Sequence, residues 1–172
     1  MTVTIRACQT GDGPRLAAVA QATFLETYSG IVDGGDILAH NNRTHAPDAY
    51  EALLADPDVA LFLAVVEPGQ APVGYAMLSP PDLPVETGPG DIELKRIYAL
   101  HRFHGAGVGP ALMTAARDAA TERGGKRLLL GAYGQNHRAI AFYKRNGFEQ
   151  VGTRRFQVGA NVYDDVVLAL TL

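Results

Sequence analysis

The first third of the chain changes from an alternating to a helical pattern of apolar residues. Thr2 to Ala7 alternates and is rich in β-branched residues, which predicts a short first strand. A helix is predicted next, with Thr10 or Asp12 as its cap and an end near Tyr28. Its apolar residues follow a spacing of three and four: Leu16, Val19, Ala20, Thr23 and Phe24. The polar stretch 33–55 predicts one or two short helices, the last beginning at Pro47.

Strands and helices then succeed one another to the end of the chain. The predicted strands are Val59–Val66, Val73–Leu78, Ile92–Leu100, Arg127–Tyr133, Glu149–Gln157 and Val162–Leu170. The predicted helices are Gly109–Arg123 and Asn136–Asn146, each followed by glycine. The strand 92–100 alternates less cleanly than the others, and the connection 79–90 holds four prolines and two glycines, which excludes regular structure there.

The predicted order of elements is β-α-α-β-β-β-α-β-α-β-β. Strand–helix–strand units imply locally parallel strands, whereas hairpins imply antiparallel ones. We therefore expect a single α/β domain over residues 1–172, with a central mixed, mostly antiparallel sheet of about seven strands and helices on both faces.

Composition is that of an ordinary globular domain. The 172 residues are 47% hydrophobic, which is too apolar for a disordered chain. Fifteen Lys and Arg against eighteen Asp and Glu give a net charge of −3, so the basic footprint of a nucleic-acid-binding protein is missing. The chain has no apolar run of about 18 residues, no signal-peptide layout and a single cysteine, Cys8. We expect a cytoplasmic protein without a nucleic-acid or membrane partner.

The segment 104–110, with sequence HGAGVGP, lies between a predicted strand and a predicted helix. Glycines let a backbone approach a ligand closely, and a helix start offers free N–H groups to an anion, so the loop suits a pyrophosphate. Pro110 interrupts the dinucleotide fingerprint G-x-G-x-x-G, and no Gly-Lys-Ser/Thr follows for a Walker loop. A tight strand-to-helix turn without a ligand explains the segment equally well by itself.

Two segments resemble the signatures of one enzyme family, the GCN5-related N-acetyltransferases (GNAT). The first is ELKRIYA at 93–99 followed by the glycine loop, in which His104, Gly107 and Gly109 match the pattern Gln/Arg-x-x-Gly-x-Gly/Ala. The second is NHRAIAFYKRNGF at 136–148, which matches N-x-x-A-x-x-F-Y followed by Gly-Phe. The predicted element order also matches the family over nearly the whole chain. His104 departs from the usual Gln or Arg, but an imidazole could still donate to a phosphate.

The resemblance implies acetyl-CoA as the co-substrate, and the residues themselves predict no metal. The amide of Ile97 would hold the acetyl carbonyl, that of Ala99 the pantetheine arm, and Asn136 would lie near the cofactor as well as cap its helix. The residues implied to hold the pyrophosphate are His104, Gly105, Ala106, Gly107, Val108 and Gly109. Arg102, Arg138 and Lys144 are either phosphate contacts or solvated surface charges. The histidine pairs 40/45 and 101/104 lack the further ligands that a metal site needs.

The resemblance also implies the reacting groups. Tyr143 would protonate the departing CoA thiolate as the general acid, because a phenol is protonated at neutral pH, although it could instead be a core residue. Glu93 would be the general base, with an exposed structural carboxylate as the alternative and Tyr98 or a water chain as substitutes. Cys8 lies far from both motifs, which favours direct attack of the amine in a ternary complex over an acetyl-enzyme.

The acceptor side is defined less well by the sequence. Phe24 and Tyr28 share a predicted helix face and would either line an acceptor pocket or pack on the sheet. Patches such as TFLETY at 23–28 and VGYA at 73–76 resemble a bacterial branch of polyamine-type acetyltransferases. We expect a small-molecule primary amine as acceptor, polyamine-like, and leave a homodimer open. The alternatives are a protein or peptide N-acetyltransferase and a non-catalytic CoA-binding sensor.

Overall fold

The structure is a computed structural model that describes residues 1–172. Its strands are β1 (Thr2–Ala7), β2 (Ala60–Glu67), β3 (Ala71–Ser79), β4 (Asp91–Ala99), β5 (Arg127–Tyr133), β6 (Glu149–Val158) and β7 (Asn161–Thr171). Its helices are α1 (Gly13–Tyr28), α2 (Gly34–Thr44), α3 (Pro47–Leu54), α4 (Val108–Glu122) and α5 (His137–Arg145), with a short 3₁₀ turn at His101–Phe103. The predicted elements are confirmed, and the polar stretch after α1 forms two helices. None of the helices is both long and apolar enough to cross a bilayer.

The seven strands form one sheet in the order β1-β2-β3-β4-β5-β7-β6. β4 and β5 run parallel, and every other neighbouring pair is antiparallel. The predicted mixed, mostly antiparallel sheet is therefore confirmed. Because β7 lies between β5 and β6, the last hairpin extends the sheet on the far side of β5.

Helices cover both faces of the sheet, and each face has its own core. On the first face, which we call the α4 face, Leu112 of α4 lies in one apolar cluster with Leu94 and Leu128 of the strands. On the opposite face, which we call the α1 face, Leu16 of α1 clusters with Leu63 of β2. Successive side chains of a strand point to opposite faces, so both cores draw on the same strands.

The sheet splits between β4 and β5. Residues 91–93 pair with residues 127–129, and no pair follows, although β4 stays on β3 as far as Ala99 and β5 stays on β7 as far as Tyr133. The β3–β4 register passes from Leu94 to Arg96 in one step, which makes Lys95 the extra residue of a bulge. A bulge bends its strand and increases its twist, which turns β4 away from β5 and opens a cleft through the sheet.

The start of α1 differs from the prediction in one respect. Asp12 occupies the cap position, but its side chain makes no capping bond. Its two carboxylate oxygens instead accept hydrogen bonds from Arg6 of β1 at 2.7 and 2.8 Å, and this pairing lowers the pKa of Asp12. Two charge-assisted bonds to a guanidinium outweigh one bond to a backbone amide. Glu51 of α3 accepts the N–H of Gly13 at 2.7 Å in place of the cap.

Candidate active site

A cavity of about 980 Å³ occupies the cleft and reaches both faces of the sheet. It brings together most of the predicted site residues: Phe24, Tyr28, Glu93, Ile97, Ala99, His104, Gly105, Gly107, Gly109, Asn136 and Tyr143. Ala106 and Val108 do not line it, and the side chain of Val108 packs in the core of the α4 face. The two sequence motifs and the predicted acceptor residues therefore meet at one site.

Two backbone amides of β4 face the open cleft. The N–H of Leu100 donates to the carbonyl of Val73 on β3 at 2.9 Å. Because the direction of N–H groups alternates along an antiparallel strand, the amides of Ile97 and Ala99 point to the other side, where β5 has separated from β4. The carbonyl of Ala99 shares that direction and is met there by the side chain of His104, at 2.9 Å from Nε2. These amides are free to bind a ligand in the cleft.

The glycine loop supplies further free amides at the start of α4. Gly105 and Gly107 have φ of +82° and +83°, in the left-handed region that favours glycine, and Gly107 is the N-cap of α4. A Cβ at either position would meet no atom within 4 Å, so the backbone conformation demands these glycines. The N–H groups of residues 105, 107, 108 and 109 have no acceptor within the protein, whereas Ala106 donates to the carbonyl of Phe103 at 3.2 Å. The amide of His104 also donates within the protein, to the carbonyl of His101 at 3.0 Å. Four of the six residues of the predicted set therefore keep an amide that can hold an anion.

His104 has a different role from the phosphate donor that the sequence suggested. The carbonyl of Ala99 can only accept, so Nε2 of His104 carries the proton. Its Nδ1 is buried without a partner, and burial lowers the pKa of His104 so that the ring stays neutral. No donor is left for a phosphate, and the side chain instead fastens the end of β4 to the loop.

α5 positions Asn136 and Tyr143 at the cavity. The side chain of Asn136 accepts the N–H of Ala139 at 3.1 Å, so the predicted cap is confirmed. Tyr143 is packed between Phe142 and Phe148, with ring centroids 5.6 and 5.9 Å away. Its ring lies in the core of the α4 face and its side chain also lines the cavity. Burial raises the pKa of Tyr143, which keeps the phenol protonated.

Glu93 lies where β4 and β5 begin to separate. Its side chain is 2% exposed, which rules out the exposed structural carboxylate that was the alternative reading of this residue. Its Oε2 accepts the N–H of Asp82 at 2.8 Å, so the irregular connection 79–90 fixes the carboxylate against the strand. The side chain also lines the cavity.

Aromatic and imidazole side chains enclose the cavity on the α1 face. Phe24 and Tyr28 are both buried and both line the cavity, so packing and lining are not exclusive here. Phe24 stacks on His40 of α2 with ring centroids 4.4 Å apart. The hydroxyl of Tyr50 accepts a hydrogen bond from Arg96 at 3.2 Å and lies 2.9 Å from Nδ1 of His45. We call this part of the cavity the acceptor chamber, after the role that is proposed for it below.

A buried ion pair closes the chamber on the side of β6 and β7. Asp165 is 4% exposed and accepts from Nη2 of Arg154 at 2.7 Å, and burial raises the pKa of Asp165 in spite of this partner. A Cβ on Gly131 would lie 2.6 Å from Nη2 of Arg154, so glycine at this position of β5 lets the guanidinium cross the strand. Sequence reasoning missed this pair, as it missed Arg96, His40 and His45, because each comes from a different element.

Neither a metal nor a thiol intermediate finds support at this site. No group of three or more His, Cys, Asp or Glu is arranged to hold a metal ion. Cys8 lines a separate cavity of about 500 Å³ beside α4 and β2. Burial, followed by the charge of Asp12, raises the pKa of Cys8 to about 12, which disfavours the nucleophilic thiolate.

A split sheet with free strand amides, followed by a helix that opens on free glycine-loop amides, can bind a polarised carbonyl group and an anion through backbone N–H groups. The chain belongs to the acetyltransferase (GNAT) family, whose model matches residues 30–148. It is accordingly an N-acetyltransferase, and enzymes of this family take the acetyl group from acetyl-CoA. The predicted family is thereby confirmed.

Relatives and similar structures agree with this assignment. An uncharacterized N-acetyltransferase of Mycobacterium tuberculosis is 34% identical over 161 residues, which cover 94% of this chain and 98% of the relative. The peptidyl-lysine N-acetyltransferase YjaB of Escherichia coli is 28% identical over 152 residues, or 88% and 86% of the two chains. The structure of the PaiA N-acetyltransferase from Thermoplasma acidophilum in complex with coenzyme A has a TM-score of 0.78 at 18% identity and covers 100% of both chains, which shows the shared fold.

Proposed function

We propose that this enzyme transfers the acetyl group of acetyl-CoA to a primary amine of a small molecule, by direct attack within a ternary complex. The observation that supports this most strongly is the cleft through the sheet. On its α4 face lie the free amides of the glycine loop and the side chain of Tyr143, and on its α1 face lies the acceptor chamber. The amides of Ile97 and Ala99 lie between them, where the thioester and the amine would meet.

The proposed reaction uses three groups of the chain. Glu93 takes a proton from the ammonium group of the acceptor, directly or through water, and the neutral amine attacks the thioester carbon. As the C–N bond forms, the amide N–H of Ile97 stabilises the negative charge on the carbonyl oxygen. The C–S bond then breaks, Tyr143 donates its proton to the thiolate, and the nitrogen loses its second proton to water, through which the phenol of Tyr143 is restored. The products are the N-acetylated amine and CoA with a free thiol, and the proton held by Glu93 returns to solvent.

Glu93 is a better base than Tyr98. Burial raises the pKa of Tyr98, so this phenol holds its proton at neutral pH and cannot accept another. Glu93 lies on the same strand and lines the same cavity, and one of its oxygens is already oriented by the amide of Asp82. Glu93→Gln is therefore expected to lower kcat most strongly below neutral pH, where the amine is fully protonated.

Two other functions remain as rival proposals. The similarity to a relative named peptidyl-lysine N-acetyltransferase favours a protein acceptor, which would present its lysine to the same chamber. A CoA-binding sensor without catalysis would keep the glycine loop but not require the buried Glu93 or Tyr143. The polyamine-like acceptor that the sequence patches suggest stays a prediction.

One assay distinguishes these functions. Purified enzyme and acetyl-CoA are mixed with spermidine, putrescine, the amino acids, amino-acid amides and a lysine-containing peptide, and the released CoA thiol is measured. We expect release with at least one small amine, and no labelled protein after incubation with radiolabelled acetyl-CoA alone. Binding of acetyl-CoA without thiol release for any acceptor would support the sensor, and release with the peptide alone would support the protein acceptor.

A further inference from the structure

The acceptor chamber contains an arginine that has no carboxylate partner. Arg96 lines the cavity from β4, and its Nη1 donates to the hydroxyl of Tyr50 at 3.2 Å and to the sulfur of Met77 at 3.6 Å. No Asp or Glu oxygen lies within 4 Å of it, whereas Arg154 in the same wall is paired with Asp165 at 2.7 Å. Nε and Nη2 of Arg96 make no hydrogen bond within the protein, and neither is buried away from solvent. They are available to a ligand in the chamber.

Tyr50 and His45 fix the orientation of the Arg96 guanidinium. Tyr50 has a single hydroxyl proton, and because it accepts from Arg96 it donates that proton to Nδ1 of His45, 2.9 Å away. The ring of Tyr50 also lies under the guanidinium, with Cζ 5.6 Å from the ring centroid. Tyr50 and His45 are fully or almost fully buried. An arginine that is oriented in this way presents a fixed pair of donors instead of a mobile charge.

The other groups around Arg96 leave its charge uncompensated. Tyr50, Tyr75 and Tyr98 face it as neutral phenols. Burial and the charge of Arg96 lower the pKa of His45 to about 3, and burial followed by the charges of Arg43 and Arg96 lowers the pKa of His40. Two carboxylates without an ion-pair partner, Glu93 and Glu26, also line the cavity. They accept from the N–H groups of Asp82 and His101, and neither lies within 4 Å of Arg96. The wall at Arg96 therefore carries a positive charge that is paired with no carboxylate of the protein.

We propose that the acceptor carries a carboxylate beside the amine that is acetylated, and that the free Nε and Nη2 of Arg96 bind this carboxylate. The acceptor class is then that of amino acids and other small amino carboxylates. This inference rests on the proposed function, because it assumes that the acceptor occupies the chamber. Two parallel N–H donors match the two oxygens of a carboxylate, and a polyamine, which carries only positive charges, would be repelled by the same group.

The first experiment measures binding without turnover. N-acetyl amino acids and their carboxamides are titrated into the enzyme–CoA complex in a calorimeter, with wild type, Arg96→Met and Arg96→Lys. We expect at least one N-acetyl amino acid to bind about 10- to 100-fold more tightly than its carboxamide, the range for hydrogen bonds to a charged group. This difference is lost in Arg96→Met and partly retained in Arg96→Lys. Equal affinities for acid and amide in the wild type, or no binding of any acid, would overturn the inference.

The second experiment measures turnover, with amino acids compared with their amides and with putrescine and spermidine. The expected result is a kcat/KM for the preferred amino acid about tenfold or more above that for its amide, reduced to equality in Arg96→Met. Arg43→Met is the matched control, since it removes the same charge from an exposed residue of α2 that does not line the cavity, and it should keep the preference. Equal rates for acid and amide would contradict the carboxylate site, and so would faster acetylation of spermidine than of every amino acid.

The two experiments separate the failure of the inference from the failure of the proposed function. If N-acetyl amino acids bind through Arg96 but no small amine is acetylated, the carboxylate site is supported and small-amine transfer is refuted. If amines are acetylated without regard to a carboxylate, transfer is supported and the inference is refuted. Circular dichroism and melting curves of Arg96→Met show whether the variant remains folded, and a folded Arg96→Lys that keeps part of the preference supports the site independently.

Discussion

The two faces of the cleft offer their proposed ligands different kinds of chemical group. On the α4 face, most of the hydrogen-bond donors are backbone amides of the glycine loop and of β4, and Tyr143 adds one hydroxyl. On the α1 face, the wall consists of side chains from α1, α2, β4, β6 and β7. A backbone amide is the same whatever residue carries it, so the α4 face suits a ligand that never changes. Side chains can be exchanged one at a time, so the α1 face suits a ligand that differs between relatives.

This contrast makes predictions about which kinetic parameter each face controls. Substitutions on the α4 face should change the affinity for acetyl-CoA or the kcat for every acceptor. Substitutions on the α1 face should change the KM for the acceptor and leave the KM for acetyl-CoA unaffected. A variant that changed both in parallel would break the comparison.

The largest effect is expected from Tyr143→Phe. Loss of the phenol proton should lower kcat by about 10²-fold, the lower end for general acid catalysis, because a CoA thiolate is already a fair leaving group. The affinity for acetyl-CoA should be unchanged, because the ring remains packed between Phe142 and Phe148. Steady-state kinetics and calorimetry measure the two quantities. Tyr163→Phe is the control, since Tyr163 does not line the cavity and its hydroxyl donates only to the carbonyl of Ile31. An unchanged kcat in Tyr143→Phe would remove the acid role.

A smaller effect is expected from Gly107→Ala. The left-handed conformation of residue 107 disfavours a Cβ by about 1–2 kcal/mol, so the loop should shift and acetyl-CoA should bind about tenfold more weakly, with acceptor KM unchanged. Gly124→Ala is the matched control, because it imposes similar backbone strain, at φ +77°, at the other end of α4 and away from the glycine loop. Both variants should melt at lower temperature, but only Gly107→Ala should lose cofactor affinity.

Gly109→Ala separates ligand space from backbone strain at the same loop. Its added methyl group would lie 3.6 Å from the ring of Phe142, an ordinary contact, inside the cavity. Weaker acetyl-CoA binding with an unchanged melting temperature is the expected outcome. If affinity stayed at the wild-type level, the cofactor would not pass between α4 and α5 at this point.

Phe24→Leu should produce a change of only a few-fold, confined to the acceptor. The substitution replaces a flat ring of the wall by a smaller branched side chain and removes the ring that packs against Tyr28 and His40, so the wall changes shape and the KM for the acceptor should rise several-fold. The KM for acetyl-CoA should not move. Leu25→Ala, at a neighbouring exposed residue, is the control. A rise in the KM for acetyl-CoA instead would mean that the faces are not independent.

The smallest effect is a pH dependence of stability that originates in the acceptor chamber. Burial lowers the pKa of His45 to about 3, so the folded state keeps the ring neutral while the unfolded state takes up a proton near pH 6.5. Stability is therefore complete above about pH 6.5 and falls as the pH is lowered, by about 0.7 kcal/mol from pH 7 to pH 6 for this one group. Urea unfolding at several pH values should show a shallower slope for His45→Gln, and an unchanged slope for His137→Gln, an exposed position. If the free energy of unfolding depended on pH equally in His45→Gln and in the wild type, the proton would be taken up by a group other than His45.

More of the α4 face than of the α1 face could be predicted from the sequence, since only Phe24 and Tyr28 of the α1 face were predicted, and the reason is physical. Glycines that must adopt positive φ and a helix that must start beside them lie within seven consecutive residues, 104–110, so their pattern is legible in a single sequence. The acceptor chamber draws on Phe24, His45, Arg96 and Asp165, which lie far apart along the chain and meet only through the sheet order. Arg96 belongs to the motif at 93–99, but the sequence does not predict that it lacks a carboxylate partner in the fold.

The strands show the same distinction on a smaller scale. Thr2–Ala7 and Arg127–Tyr133 have the bounds that periodicity predicted, because side-chain alternation is a local property. The separation of β4 from β5 depends on the bulge at Lys95, which exists only relative to β3. Its one trace in the sequence is the imperfect alternation of residues 92–100, since an extra residue reverses the faces of all that follow.

Because β4 and β5 separate, the cleft opens on both faces of the sheet and so has two entrances. If the cofactor enters from the α4 face and the acceptor from the α1 face, neither molecule lies across the path of the other, and the architecture imposes no order of addition. After the reaction, CoA and the acetylated product can leave independently through opposite sides. An inhibitor that joined both substrates into one molecule would have to thread the sheet, and its tether would pass between Ile97 and the end of β5.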